Sequence, residues 1–192
     1  VMLTIGTGVG GAIITDGRLL RGGFGVAAEL GHIRHIPNGR LCGCGRRGCI
    51  EQYGSGTALL RSAIELAHSG SEKGSRLAEL MVQNGGELTG VQVYQAISEN
   101  DAGALELLRD LGIALGKTIA TIAAVLDPEI VVIGGGVSAA GDLLLDPMRE
   151  GFLSSLSAKG FRPELKIETA QFVNDAGVVG AADLARQELT SR

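Results

Sequence analysis

The chain has 192 residues, 45% of them hydrophobic, and is long enough to bury one core as a single domain. Its formal net charge is −4 and its Lys and Arg residues form no basic tract, which argues against a nucleic-acid surface in this segment. No signal peptide or bilayer-spanning apolar run is visible, and three cysteines cannot pair fully, so we expect a cytoplasmic protein without membrane contact.

The first part of the chain combines short strands with glycine-rich turns. Residues 1–6 predict an apolar sheet strand that starts at the first residue of the sequence. We therefore expect this strand to be cut from a longer protein. After a glycine turn, two apolar segments flank Asp16-Gly17, a dipeptide typical of two-residue hairpins. A loop-rich region then extends from residue 22 to about residue 51.

Helical patterns dominate residues 56–126. The last of these helices has a predicted N-cap at Asp101 and is expected to end at Asp127-Pro128. A strand, a helix, a strand and a final helix are then predicted at about residues 129–133, 142–156, 165–169 and 176–189, the last capped by Asn174 or Asp175. A hairpin followed by alternating helices and strands predicts a mixed α/β fold.

One short stretch carries all three cysteines of the chain. In GHIRHIPNGRLCGCGRRGCIE, three thiols and one imidazole occur at short spacing, namely His32, Cys42, Cys44 and Cys49. Such a set fills all four tetrahedral positions of Zn²⁺ and leaves none for water, so we predict a structural site whose binding energy folds the loop. His35 is an alternative ligand, because spacing alone does not separate it from His32.

Residues 6–11, GTGVGG, formally match the dinucleotide-binding pattern G-x-G-x-x-G. That pattern needs a following helix, whereas residue 12 onward predicts a strand and hairpin, and no Lys-Ser/Thr follows to make a Walker A loop. We interpret the segment as a turn between two antiparallel strands, with backbone N–H groups and the Thr7 hydroxyl able to hold a phosphate. A tight turn without a ligand is the alternative.

A second glycine cluster, Gly134-Gly135-Gly136, follows a predicted buried strand and precedes a helix. The carboxyl ends of strands are where open α/β sheets bind ligands. The pattern G-x-G-x-x-A, which ends at Ala139, would also suit a nicotinamide enzyme. The acidic residue expected about twenty positions later is missing, which disfavours that alternative.

Five stretches carry a family resemblance: LTIGTGVGGAI, FGVAAELGHI, CGCGRRGCIEQY, LDPEIVVIGGGVS and NDAGVVGAADLA. Together they resemble the ROK family of sugar kinases and sugar-sensing repressors, and more closely its glucokinases. The H…CxCGxxGCxE element is the most specific part. The resemblance implies an α/β fold of the actin-like ATPase (ribonuclease H-like) type, with a mixed sheet and flanking helices. It further implies a large lobe at residues 1–175 with a zinc loop at 32–49, and a C-terminal helix at 176–192 that packs on a small lobe.

The resemblance also implies ligand contacts for residues that match family motifs. Sugar hydroxyls are expected at Glu29, His32 and Glu51. Carboxylates accept hydrogen bonds from hydroxyls, and a metal-bound imidazole keeps one nitrogen for a second partner. The phosphates of ATP, bridged by Mg²⁺, are expected at Thr7, Gly8 and Gly10. The adenosine is expected near Gly135 and Gly136.

The chain departs from the family pattern because it lacks the amino-terminal lobe, its D-x-G-x-T phosphate loop and the Asn-Asp pair that supplies the catalytic base. We find no catalytic residue in the sequence, so we expect no useful phosphorylation of glucose by the chain alone. Without the small lobe, the final helix would lose the usual cover of its apolar face, formed by Val178, Val179, Ala182 and Leu189.

The leading hypothesis is transfer of phosphate from ATP to the 6-hydroxyl of glucose or a similar aldohexose. The alternative is the sugar-sensing domain of a ROK repressor, but the intact glycine turns favour a kinase because a sensor has less need of phosphate-binding backbone. A zinc-bearing nucleic-acid module is disfavoured by the acidic balance and the few aromatic residues. Relatives commonly dimerise, so we expect a homo-oligomer. The exact hexose and the choice between ATP and polyphosphate depend partly on the missing lobe.

Overall fold

The computed structural model describes residues 1–158, 160, 161, 163, 165–172 and 175–190, with side chains described up to residue 186. The strands are β1 Met2–Ile5, β2 Val9–Ala12, β3 Ile14–Thr15, β4 Arg18–Leu19, β5 Ile130–Gly134 and β6 Lys166–Thr169. The α-helices are α1 Glu51–Gly54, α2 Gly56–Ala67, α3 Ser75–Gln83, α4 Gly90–Ser98, α5 Ala102–Leu126, α6 Asp142–Ser155 and α7 Ala176–Thr190. Short 3-10 helices cover Leu30–His32, Glu72–Gly74 and Gly136–Ala140.

A four-stranded sheet in the order β2-β1-β5-β6 forms the centre of the fold. The sheet is mixed, because β2 runs antiparallel to β1 whereas β5 and β6 run parallel to it. Alternate residues of β1 and β5 are buried in the core, among them Ile5 and Ile133. Since these two strands are parallel, their carboxyl ends meet at one edge of the sheet, and Gly135 packs there against the backbone of Ile5. The two glycine turns of the sequence therefore lie side by side.

Helix α5 is the longest element, with 25 residues. Its N-cap is Asp101, as predicted, whose side chain accepts a hydrogen bond of 2.8 Å from the Ala104 N–H. Asp127 ends the helix in a left-handed conformation. The helix buries Leu115 and Ile119 in the core and packs mainly along α6. Helices α1, α2 and α4 also pack against α5, so α5 determines where they lie.

The predicted α/β class with a mixed sheet and flanking helices is confirmed by these elements. The hairpin is also confirmed, with β3 and β4 paired across Asp16-Gly17 and positive φ at both turn residues. The last four predicted elements end within one residue of the observed ones. Among the described residues, no helix has the length and apolar composition needed to cross a bilayer.

Helix α7 exposes the part of its apolar face that is described, since Val178 and Val179 both contact solvent. Of the two predicted caps, Asn174 lies outside the described residues, whereas the Asp175 carbonyl accepts a hydrogen bond from the Val179 N–H. The side chain of Leu189 also lies outside the described part of the chain. That a second lobe covers this face stays a prediction.

Candidate functional site

The loop between the hairpin and α1 gathers all three cysteines of the chain around one histidine. Ligand atoms from four residues lie within 4.8 Å of one another, those of His32, Cys42, Cys44 and Cys49. The sulfurs of Cys44 and Cys49 are 3.6 Å apart, and Cys42 Sγ is 3.7 Å from His32 Nδ1. Two sulfurs bound tetrahedrally to one Zn²⁺ would be about 3.8 Å apart, because Zn–S bonds measure about 2.3 Å. The donor set and its spacing therefore fit Zn²⁺.

His35, the alternative ligand, lies outside this cluster. Its ring is tilted against the ring of Tyr53, with the two centroids 5.5 Å apart. Burial, and secondarily the charge of Lys117, holds the pKa of His35 below its ordinary value. The 3-10 helix Leu30–His32 is thus the element that directs a histidine towards the cysteines.

Turns and isolated bridges, rather than regular structure, fold the loop around the cysteines. Isolated antiparallel bridges pair Arg34 with Cys49 and Leu41 with Arg47. Each bridge brings the chain on either side of the first two cysteines back together. Gly48 has φ of +82°, and a Cβ atom there would overlap the Ile36 carbonyl oxygen. Only glycine fits such a position.

The thiols of the cluster differ in environment. Cys44 is exposed, and a hydrogen bond from the Arg46 backbone lowers its pKa. Cys49 is buried, and burial raises its pKa to about 12. A buried thiol of this kind ionises at neutral pH only when a cation takes the place of its proton. The case for metal ligands therefore rests on the four-residue donor set and its spacing.

Two carboxylates flank the cysteine cluster. Glu29 Oε2 lies 3.9 Å from His32 Nε2, the ring nitrogen opposite the one that faces Cys42. Glu51 is the first residue of α1 and places Oε1 3.6 Å from Cys42 Sγ. Its other oxygen, Oε2, accepts a hydrogen bond of 3.2 Å from the Val9 N–H. The three residues predicted to bind sugar hydroxyls, Glu29, His32 and Glu51, thus lie together beside the cluster.

The turn at residues 6–11 connects β1 and β2, the antiparallel setting that was predicted for it. The Gly6 N–H donates to the Gly8 carbonyl at 3.0 Å, and the Gly6 carbonyl accepts from the Gly56 N–H at 2.7 Å. Within the part of the chain that the structure describes, the N–H groups of Thr7 and Gly8 have no backbone or side-chain acceptor. These two donors are therefore available to an anion.

A cavity of about 610 Å³ borders this turn. Its walls come from the turn itself, the first turns of α2, helices α4 and α5, and the 3-10 helix after β5. The lining is mostly apolar and includes Thr7, Thr57, Val91, Tyr94, Gly136 and Val137. A cavity of this size, apolar with a few polar groups in its lining, suits a small organic ligand.

Two of the five residues predicted to contact a nucleotide, Thr7 and Gly136, line this cavity. The other three do not line it: Gly8 faces Glu51, Gly10 lies in β2 against the Thr4 side chain, and Gly135 packs on Ile5. Their contact with a nucleotide stays a prediction.

The cavity also contains residues that sequence reasoning missed, notably Thr57, Val91, Tyr94 and Val137. They are ordinary helix and turn residues from segments far apart in the chain, so no spacing signal marks them. The sequence signal that could have pointed to Thr57 is the helix N-cap just before it. The Ser55 side chain accepts a hydrogen bond from the Ala58 N–H and so starts α2.

A sequence model of the ROK family matches residues 1–188. The chain belongs to the ROK family. The loop 32–49 and the two glycine turns, on which the resemblance rested, all fall within the matched residues.

Glucokinases are among the proteins to which this ROK chain is similar. It is 43% identical over 187 residues to the glucokinase of Streptomyces coelicolor, a match that covers 97% of this chain and 59% of the relative. A solved ROK family glucokinase from Streptomyces griseus, in complex with glucose and AMPPNP, has a TM-score of 0.87 at 43% identity, over 97% of this chain and 60% of that one. The ROK chain therefore spans about three fifths of the length of these relatives.

A transcriptional regulator of the ROK family is similar as well. This solved structure, a homologue of the Escherichia coli MLC protein, has a TM-score of 0.78 at 27% identity, over 94% of this chain and 44% of that one. The predicted ROK fold is confirmed by both solved structures. Because the same lobe occurs in a glucokinase and in a regulator, the fold alone does not decide between the two activities.

Proposed function

We propose that this chain is the lobe of a ROK sugar kinase that holds the sugar and the nucleotide on either side of the turn at residues 6–11. The reaction is transfer of the terminal phosphoryl group of ATP to the 6-hydroxyl of glucose or a similar aldohexose. One observation carries the proposal: the turn lines the cavity through Thr7 and touches Glu51 through Gly8 and Val9. A phosphate held by this turn would lie between a nucleoside-sized cavity and carboxylates suited to a sugar.

On the sugar side, Glu29, His32 and Glu51 accept hydrogen bonds from hydroxyl groups or donate to them. Their closeness supports this role, with Glu29 Oε2 3.9 Å from His32 Nε2 and Glu51 Oε1 3.6 Å from Cys42 Sγ. Each ionised carboxylate has two acceptor oxygens and can therefore accept hydrogen bonds from sugar hydroxyls. The complex of the Streptomyces griseus glucokinase with glucose supports a hexose as the ligand.

A structural Zn²⁺ would be held by His32, Cys42, Cys44 and Cys49. With four protein ligands the ion has no open position, so it stabilises the fold of the loop and takes no part in the reaction. Binding through His32 Nδ1 would leave Nε2 on the Glu29 side. The metal thus orients the residues that bind the sugar.

On the nucleotide side, the cavity accepts the adenosine between Tyr94 and Val91 of α4 and Val137 of the turn after β5. The N–H groups of Thr7 and Gly8, with the Thr57 hydroxyl at the start of α2, hold the phosphates. The amino-terminal end of α2 adds a favourable partial charge for an anion. Mg²⁺ bound with the nucleotide would neutralise part of the phosphate charge.

The catalytic base is proposed to come from the part of the relatives' length that this chain does not span. A carboxylate that takes the hydroxyl proton is needed for phosphoryl transfer to a sugar. We therefore expect the chain alone to bind its ligands without useful turnover. A cytoplasmic location and a homodimer also remain predictions.

A sugar-sensing regulator is the second candidate, supported by the similarity to the solved ROK family regulator. The N–H groups of Thr7 and Gly8 have no acceptor among the described residues, and an apolar cavity lies beside them. Both features favour the kinase, because a sensor of free sugar needs neither. The two candidates differ in nucleotide binding, which the experiment below measures.

Calorimetric titration of the zinc-loaded chain with glucose, and separately with Mg²⁺ and AMPPNP, tests the proposal. We expect one site for each ligand, and about tenfold weaker glucose binding in Glu29→Gln and in Glu51→Gln, since each replaces a charged acceptor by a neutral amide with a single acceptor oxygen. Glu87→Gln is the matched control, an exposed acid between α3 and α4 that is not a member of the cluster.

Glucose binding without nucleotide binding would select the regulator, and the absence of both would refute the site. Phosphorylation of glucose by the chain alone, prepared free of host kinases, would place a base within these residues and refute the assignment as an incomplete kinase lobe.

A further inference from the structure

The carboxylate of Glu51 lies directly against the turn proposed to hold the phosphates. Its Oε2 atom accepts a hydrogen bond of 3.2 Å from the Val9 N–H. A Cβ atom on Gly8 would lie 2.5 Å from the same oxygen, so the carboxylate occupies the space that a side chain at this position would need. The contact joins the start of α1 to the turn between β1 and β2, across 42 positions of sequence.

Glu29, the other acid of the proposed sugar site, makes no such contact among the described residues. Its side chain is 70% exposed, and its carboxylate faces His32 Nε2 at 3.9 Å. The two acids therefore have the same proposed sugar role but different surroundings. Only Glu51 also contacts the glycine turn.

The turn is anchored on both sides of the Thr7 and Gly8 N–H groups, for which the described part of the chain offers no acceptor. On the side of β1, the Gly6 carbonyl accepts from the Gly56 N–H, which ties the turn to α2. On the side of β2, the Val9 N–H donates to Glu51. The Thr7 and Gly8 N–H groups lie between these anchors, so their direction depends on both.

We propose that Glu51 is a positioning residue for the phosphate turn and couples the binding of sugar and nucleotide. The inference rests on the proposed function, which gives the turn its phosphate and Glu51 its sugar. One carboxylate can serve both partners, because Oε2 keeps the Val9 N–H while Oε1 can accept a hydroxyl. Oε1 now accepts from the Cys42 thiol at 3.6 Å, and that donor would be lost if the thiol gave up its proton to bind zinc. A sugar that fixes this carboxylate fixes the turn, and by reciprocity a bound nucleotide raises the affinity for sugar by the same factor.

Amide hydrogen exchange of Val9 tests the anchor without any ligand or turnover. In zinc-loaded Glu51→Ala we expect the Val9 amide to exchange at least about tenfold faster than in the unmodified chain, because its acceptor is gone. Glu51→Gln retains an acceptor oxygen at the same length and should restore most of the protection. Glu29→Ala should leave Val9 unchanged. Equal exchange in Glu51→Ala and in the unmodified chain would overturn the proposal.

Steady-state kinetics of the longer kinase that contains this chain test the coupling. We expect Glu51→Ala to raise KM for both glucose and ATP about tenfold, whereas Glu29→Ala raises KM for glucose alone. Elemental analysis of each variant checks that zinc content is unchanged. An effect of Glu51→Ala confined to glucose would overturn the coupling, whatever the exchange result. If the unmodified protein phosphorylates no hexose, the proposed function fails, and the Val9 amide still decides whether Glu51 anchors the turn.

Discussion

Two regions meet at the turn of residues 6–11, and they are stabilised in different ways. The loop 32–49 has no regular strand or α-helix, exposes Leu41 and part of Ile36, and buries sulfur atoms. The cavity on α2, α4 and α5 has walls that belong to the hydrophobic core, among them Val93 and Leu108. The loop therefore has the donor set of an ion site, whereas the cavity relies on packing. We expect loss of an ion to unfold the loop while the cavity walls keep their fold, with the contact of Glu51 and Val9 as the link between the two regions.

Removal of the metal should give the largest effect. In zinc-finger peptides, metal binding supplies about 10–16 kcal/mol of folding free energy, and a loop without a core has little else to hold it. A strong chelator should release one zinc ion per chain, lower the melting temperature by about 10 °C and abolish glucose binding. Binding of Mg²⁺ and AMPPNP should persist, because the cavity walls are core residues.

The two histidines of the loop give the matched control for that experiment. His32→Ala should lose zinc, since His32 Nδ1 lies 3.7 Å from Cys42 Sγ, whereas His35→Ala should keep it because His35 faces Tyr53. Elemental analysis of both variants measures this. A metal-free preparation with an unchanged melting curve under chelator would reject the site.

Alanine substitutions at two glycines separate steric fit from backbone strain in the loop. Gly45 and Gly48 both have positive φ, +84° and +82°, and each alanine should cost about 1 kcal/mol for that reason. A Cβ atom at Gly48 would also overlap the Ile36 carbonyl oxygen, whereas at Gly45 it would meet open space.

We therefore expect Gly48→Ala to lower the free energy of unfolding by about 3 kcal/mol and Gly45→Ala by about 1 kcal/mol. Urea denaturation of the zinc-loaded proteins measures both values. Equal losses would mean that the loop relaxes around the new methyl group, and that its backbone is less constrained than the hydrogen bonds suggest.

Substitutions of the two tyrosines of the chain, one in the cavity and one beside the loop, test whether the two regions are stabilised separately. Tyr94 lines the cavity and is 47% exposed, so Tyr94→Ala should weaken nucleotide binding about tenfold with little change in melting temperature. Tyr53 accepts a hydrogen bond of 2.8 Å from the Arg40 N–H and contacts His35, so Tyr53→Ala should destabilise the loop and spare the nucleotide. Calorimetry and thermal melting measure the two effects. An equal loss of nucleotide binding in Tyr53→Ala and in Tyr94→Ala would show that the cavity walls depend on the fold of the loop.

The cysteine cluster could be predicted from the sequence because its ligands are rare residue types within a short segment. His32 and His35 could not be separated in this way, since the choice depends on the direction in which a short 3-10 helix presents its last residue. The strand ends and helix caps were also predictable, as Asp101 shows, because they depend on neighbours in the chain.

The cavity could not be predicted, because its walls are assembled by tertiary packing. Thr57, Val91, Tyr94 and Val137 come from three segments, α2, α4 and the 3-10 helix after β5, and nothing in their local sequence marks them as cavity residues. The contact of Glu51 with Val9 was missed for a similar reason: it joins two motifs that were interpreted separately, one for the sugar and one for phosphate.

A surface ion pair beside the cavity should give the smallest effect of all. Arg76 Nε donates to Glu99 Oε2 at 2.7 Å and joins the start of α3 to the end of α4, the helix that carries Tyr94. Hydrogen bonds from Arg76 and then Gln95 hold the pKa of Glu99 below its ordinary value. The pair therefore adds stability above the ordinary carboxyl pKa, and that contribution is lost as the pH falls through the lowered value.

The Glu99 carboxylate is exposed and the Arg76 guanidinium is partly exposed, so solvent and salt screen their attraction. Glu99→Gln should lower the melting temperature at pH 7 by less than about 2 °C, and the difference from the unmodified chain should shrink in high salt and disappear in acid. Glu87→Gln is the control, since no ion pair of Glu87 is found among the described residues. If Glu99→Gln instead weakened nucleotide binding severalfold, the position of α4 would depend on surface charge, and packing alone would not account for the cavity.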